Sequence, residues 1–230
     1  MDKLLTIFHG SPRIVETPIF GEGRKNNDFG QGFYCTESHE LAMEWAVSSL
    51  QDGFANRYTL ETEHLHILRL NSPDYTILNW MAVLVAHRLF SIKNPIARRA
   101  KAYLIDSFGI NVNAYDLITG YRADDSYFDF AEAFLNNAIT VEQLSRAMRL
   151  GKLGEQIVLK SKFAFSRIRY EGFDVAEKVL YFARRQTRND AANQTWLNIL
   201  EEESDGLFIQ DIIRGGITND DPRIPKNLFE

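Results

Sequence analysis

Apolar and polar positions sort the chain into short strands and longer helices. Leu4–Phe8 is an apolar run ending in His9-Gly10-Ser11-Pro12, which reads as a strand entering a loop. Residues 21–32 hold Gly21, Gly23, Gly30 and Gly32 among polar neighbours, the pattern of a flexible or close-packed loop. Phe33-Tyr34-Cys35-Thr36 predicts a second strand. Thr36 then caps a helix with Glu37 and Glu40 in its first turn and Leu41, Ala42, Trp45, Ala46 and Leu50 on one apolar face. Arg57–Leu60 and His66–Leu70 read as strands of a hairpin-like pair. Asp74 opens an apolar helix through Phe90, and Pro95 starts another that runs to about Phe108. Tyr115–Thr119 and Glu155–Lys160 are strand candidates. Helices are predicted near Tyr127–Asn137 and at Val141–Leu150, the second with a Thr140/Gln143 capping box. A long helical pattern covers Asp174–Glu202 without glycine or proline.

Composition narrows the class. Of 230 residues, 45% are hydrophobic and 12% aromatic, ordinary values for a globular protein with a core of its own. The single cysteine, Cys35, excludes an intramolecular disulfide and a cysteine-based zinc cluster. Met1-Asp2-Lys3-Leu4 does not read as a secretory signal, and no run approaches the roughly 18 apolar residues of a membrane span, which points to the cytoplasm. Residues 201–230 carry eight acids against three bases, the whole net charge of −5. The first 200 residues are neutral overall, with basic clusters at Lys93–Lys101 and Lys160–Arg169. These suit nucleic acid or phosphate, or else are ordinary solvated faces. The pattern describes one α+β domain with a helical C-terminal part.

Three strand-associated segments carry candidate chemistry: Phe8-His9-Gly10-Ser11, Phe29-Gly30-Gln31-Gly32-Phe33-Tyr34-Cys35-Thr36 and Gly154-Glu155-Gln156-Ile157-Val158-Leu159. In this order they resemble the His-Tyr-Glu branch of the ADP-ribosyltransferase superfamily, to which poly(ADP-ribose) polymerases belong. More closely, the chain resembles a bacterial family called domain of unknown function 3990. Asp28-Phe29-Gly30-Gln31-Gly32-Phe33-Tyr34 leading to Ala42-Met43-Glu44-Trp45-Ala46 carries that likeness. Tyr115-Asp116-Leu117-Ile118-Thr119-Gly120-Tyr121-Arg122-Ala123-Asp124-Asp125 and Glu155-Gln156-Ile157 extend it. The resemblance implies a core of two small, packed, antiparallel-rich sheets over residues 1–172, with a helical insertion near 74–108. Residues 173–230 form a helical extension packed on the same domain.

What the resemblance implies for chemistry is NAD as co-substrate and a macromolecular acceptor, protein or nucleic acid. It also implies the role of toxin in a bacterial toxin–antitoxin pair, with a cognate antitoxin as partner. Cleavage of the nicotinamide–ribose bond develops an oxocarbenium-like cation, which a fixed carboxylate stabilises only as the charge appears. Glu155 is the candidate carboxylate and Gln156 its competitor, since neighbours on a strand face opposite ways. Tyr34 would stack on nicotinamide and Trp45 would close its second side or pack in the core. His9 would donate to a ribose hydroxyl, and Gly10 would let the backbone approach the carboxamide. Ser11, Arg24 and Gly32 complete the cofactor-binding set, with Arg24-Lys25-Asn26-Asn27 meeting the pyrophosphate. Asp124 and Asp125 shape the acceptor side, bind a cation or cap a turn. His64 and His66 share a strand face but lack further ligands at metal spacing. Two other readings stay open: a NAD glycohydrolase, and a non-catalytic module with a degenerate fold.

Overall fold

The computed structural model describes residues 3–90, 92, 94–123, 125–150 and 154–226. It is a mixed α/β structure with two small sheets and eight α-helices among the described residues. The first sheet has the order β1 (Leu4–Ser11), β3 (Gly53–Glu61), β7 (Ile168–Ala176), antiparallel throughout. The second has the order β2 (Phe33–Cys35), β6 (Glu155–Leu159), β5 (Leu117–Tyr121), β4 (Ile67–Arg69), with β4 and β5 parallel. A backbone bridge between Phe8 and Thr36 joins the two sheets.

Pairing corrects the expected hairpin. β3 is the central strand of its sheet, with both edges taken by β1 and β7, so β4 turns to β5 in the other sheet. His64 occupies the intervening turn with φ of 66°, while His66 bonds the Ala114 carbonyl and stacks on Tyr115. The two imidazoles therefore share no strand. β7 was not foreseen. It occupies the start of the segment read as one long helix, and α7 runs from Lys178 to Glu201 only. The domain division expected after residue 172 falls inside β7.

Helix α1 (His39–Ala46) is capped by Ser38, not Thr36. The Ser38 hydroxyl accepts from the Leu41 amide at 3.3 Å, whereas the Thr36 backbone is committed to the bridge with Phe8. The helix ends before Leu50, which is exposed, so Leu50 is not part of its apolar face. Apolar residues surround α2 (Ile77–His87), and Ile77 through Val85 are all buried. Trp80 is fully buried and its indole donates to the Tyr121 carbonyl at 3.1 Å; loss of so large a core side chain costs about 3–5 kcal/mol.

Local signals hold elsewhere. Asn94 accepts from the Ala97 amide at 2.7 Å and Pro95 opens α3 (Pro95–Phe108). The Thr140/Gln143 capping box starts α5 (Val141–Leu150), with reciprocal bonds of 2.9 and 3.3 Å. Helices α4 (Asp125–Leu135), α6 (Lys162–Ser166), α7 and α8 (Ile209–Gly215) complete the set, α8 being unforeseen. The chain beyond α8 returns to α2, where the Ile77 amide donates to the Pro225 carbonyl. Among the described residues no helix is long and apolar enough to cross a membrane.

Candidate functional site

Side chains on β1 and β2 alternate, and that alternation separates the candidate residues into two cavities. Phe33 packs with the cluster of Ile7, Cys35, Tyr58, Ile157 and Leu159, whereas Tyr34 packs with the helical core. His9 follows Phe33, with ring centroids 4.4 Å apart.

The larger cavity, about 550 Å³, is lined by His9, Ser11, Arg13, Glu22, Arg24, Gly32, Phe33 and Phe165, among others. Its wall is the loop after β1, pinned where the Val15 amide donates to the buried Asn56 side chain and Val15 accepts from the Tyr58 hydroxyl. His9 Nδ1 lies 2.7 Å from the Tyr34 carbonyl, which only accepts, so this nitrogen carries the proton. Burial holds the His9 pKa below its usual value, helped by the charge of Arg13. The neutral ring therefore offers Nε2 as an acceptor, and not as the hydroxyl donor expected for ribose. Gly10 also differs from expectation. A Cβ there would lie 2.2 Å from the Ala42 carbonyl and 2.7 Å from Trp45 Cβ, so the glycine admits α1 against β1 and not a ligand.

The smaller cavity, about 220 Å³, is lined by Asn27, Asp28, Tyr34, Trp45, Arg88, Arg122, Ala123 and Gln156. Its floor is polar and buried. Asp28 Oδ2 accepts from Gln156 Nε2 at 2.9 Å and from the Ala123 amide at 2.9 Å, and Oδ1 lies 3.5 Å from Arg88 Nε. Burial raises the Asp28 pKa; the bonds from Gln156 and Ala123 and the charges of Arg88 and Arg122 oppose that rise. Gln156 also donates to the Tyr121 carbonyl at 3.1 Å. The Tyr34 hydroxyl donates to the Gly30 carbonyl at 2.7 Å and accepts from the Phe29 amide at 3.0 Å. That turn needs φ of +75° at Gly30, which glycine adopts without strain. Lys160 locks the same loop, donating to the Phe29 and Gln31 carbonyls at 2.8 and 2.7 Å. Burial lowers its pKa to about 8.

Trp45 forms the remaining wall. The Arg122 guanidinium sits 4.5 Å from its ring centroid, and its indole N–H is buried with no partner among the described residues. α1 is held from behind by α7. Arg188 pairs with the buried Glu44 at 2.6 Å, Arg184 pairs with Glu40, and Arg185 donates to the Val47 carbonyl at 3.0 Å.

The structure thus brings Tyr34, Trp45 and Gln156 together and puts His9, Ser11, Arg24 and Gly32 in the other cavity. Glu155 faces away from Gln156 and lines neither. Burial raises its pKa, with Glu37 as the charged neighbour that adds to the rise. Asp124 and the side chain of Asp125 lie outside the described residues. Asp28 and Arg122 belong to the quoted motifs but had no role read for them; Arg88, at the end of an apolar helix, carried no local signal at all.

Every residue that lines the small cavity falls within the span over which the chain matches a known family. The chain belongs to the family described as protein of unknown function (DUF3990), which it matches over residues 5–170. No curated protein and no solved structure gives a match.

Proposed function

We propose that the small cavity holds the nicotinamide end of NAD and that the protein transfers ADP-ribose from it to a macromolecular acceptor. One observation carries the reading: Tyr34, Trp45 and Gln156, from β2, α1 and β6, line one pocket. The indole face already receives a planar cation, Arg122. The nicotinamide ring of NAD is also planar and positively charged, so exchanging one for the other preserves the cation–π contact. Arg122 is then released toward the ligand's phosphates.

In this reading the bond from ribose C1′ to the nicotinamide nitrogen breaks, and neutral nicotinamide leaves with the electron pair. The acceptor nucleophile bonds to C1′ and loses a proton. Asp28 is the carboxylate that opposes the developing positive charge, and Gln156 fixes its orientation. This role moves from Glu155, which faces the other side of β6. Water in place of the acceptor gives a NAD glycohydrolase, and the absence of Glu155 from the pocket favours a non-catalytic binding module as the second reading.

Incubation of the full chain with NAD, followed by mass spectrometry of products, decides among them. An ADP-ribose adduct on protein or nucleic acid supports transfer, free ADP-ribose with no adduct supports hydrolysis, and unchanged NAD leaves the binding module. Transfer to an essential acceptor also predicts the toxin behaviour: production in a bacterium arrests growth while NAD stays constant, and a cognate antitoxin relieves the arrest.

A further inference from the structure

We infer that the cavity beside the nicotinamide pocket binds the adenosine half of NAD, an inference that rests on the reading of that pocket. This third cavity, about 330 Å³, is lined by Asn26, Arg88, Leu89, Phe128 and Asp129. Arg88 lines both it and the smaller pocket, and the chain neighbours Asn26 and Asn27 line one each. Arg88 therefore stands between Tyr34 and Trp45 in one cavity and Phe128 in the other.

The chemistry along that path matches a dinucleotide. The Arg88 guanidinium lies 5.2 Å from the Phe128 ring centroid while Arg88 Nε lies 3.5 Å from Asp28. It places positive charge between the two cavities, where the pyrophosphate of NAD falls. Phe128 is backed by Phe90, with centroids 4.2 Å apart and planes within 16°, and a purine stacks on the ring by displacing the Arg88 guanidinium toward the phosphates. Leu89 is 76% exposed, a large apolar side chain that a purine face would cover. At the purine edge, the Asn26 amide both donates and accepts, as recognition of adenine N7 and its amino group requires. The Asp129 carboxylate accepts from that amino group and repels the O6 of guanine, which selects adenine.

Calorimetric titration of the full chain with NAD, ADP-ribose and nicotinamide mononucleotide tests this. Loss of a stacked base contact weakens binding by about tenfold or more. Phe128→Ala should weaken NAD and ADP-ribose by that factor and leave nicotinamide mononucleotide unchanged; Tyr34→Ala should weaken NAD and the mononucleotide and leave ADP-ribose unchanged. Leu89→Glu, at an exposed position that does not endanger folding, should repeat the Phe128→Ala pattern, because a charged side chain replaces the apolar surface that the purine face covers. Wild-type ADP-ribose affinity in both Phe128→Ala and Leu89→Glu overturns the adenosine site while leaving the nicotinamide pocket standing. Phe128-dependent binding of ADP-ribose with no binding of the mononucleotide does the opposite. No binding of any of the three ligands overturns both.

Discussion

The two cavities on either side of β2 differ in how they are assembled. The larger takes its walls from residues 9–33 with Phe165 added, and much of that wall is exposed loop. The smaller draws on the loop before β2, on β2 and α1, on the end of α2, on the residues that follow β5, and on β6, and its floor is the buried pair Asp28 and Gln156. Volume alone would choose the first. Convergence of distant segments on buried, perturbed polar groups chooses the second, because only a folded chain holds such groups together and desolvation is what gives them unusual strength. A pair of adjacent residues, Phe33 and Tyr34, serves one cavity each.

The largest effect that divides the cavities is catalytic. Gln156→Ala and Asp28→Asn should each lower nicotinamide release by about 100–1,000-fold, the usual consequence of losing a placed electrostatic group. Glu155→Gln should keep wild-type turnover; the opposite outcome would put the chemistry on the far face of β6. Next is the support of Trp45. Arg188→Ala leaves the buried Glu44 without its partner and should cost about 3 kcal/mol in a denaturant titration. It should weaken NAD binding through α1, an effect that vanishes if the indole is not part of the site.

Smaller effects sharpen the same division. Tyr34→Phe keeps the ring but strands the Phe29 amide, so stability should fall by about 1–3 kcal/mol with NAD affinity nearly intact. His9→Ala removes one hydrogen bond, for about 1 kcal/mol, and should leave NAD affinity unchanged because His9 lines the other cavity. A large loss of NAD binding in His9→Ala breaks the comparison. A pH dependence reads the loop between the cavities. Lys160 titrates near 8 in the fold and near 10.5 when unfolded, so between those values the unfolded chain binds more protons and stability rises with pH. Thermal melts from pH 8 to 10 should show a rise that Lys160→Met removes.

Much of the framework was readable where the signal is local. Pro95 after Asn94, Thr140 three before Gln143, and the apolar run at Leu4 each name an element without reference to the rest of the chain. β7 was hidden because it is an edge strand with one face in solvent: Phe173 and Val175 are exposed, and its charged residues blend with the helix that follows. The β3–β4 hairpin failed because strand partners are chosen by the sheet, not by neighbourhood in sequence. In the site, Tyr34, Trp45 and Gln156 were legible from the motifs that carry the family likeness. Arg88 was not, since it enters the pocket only through the packing of α2. Glu155 was chosen as the more chemical residue of its pair, whereas the structure buries Gln156 against Asp28 in the small cavity and leaves Glu155 outside it.

Phe8 and Thr36 exchange two backbone hydrogen bonds, of 2.8 and 2.9 Å, and this contact sits where the two sheets meet. Trp45 travels with the three-stranded sheet, because α1 packs on β1, β3 and β7, while Tyr34 and Gln156 are built into the four-stranded one. The indole and the phenol that line the small cavity therefore belong to different sheets, and the width of the gap between the two rings is set by how those sheets are joined at the bridge and at the His9–Tyr34 hydrogen bond beside it.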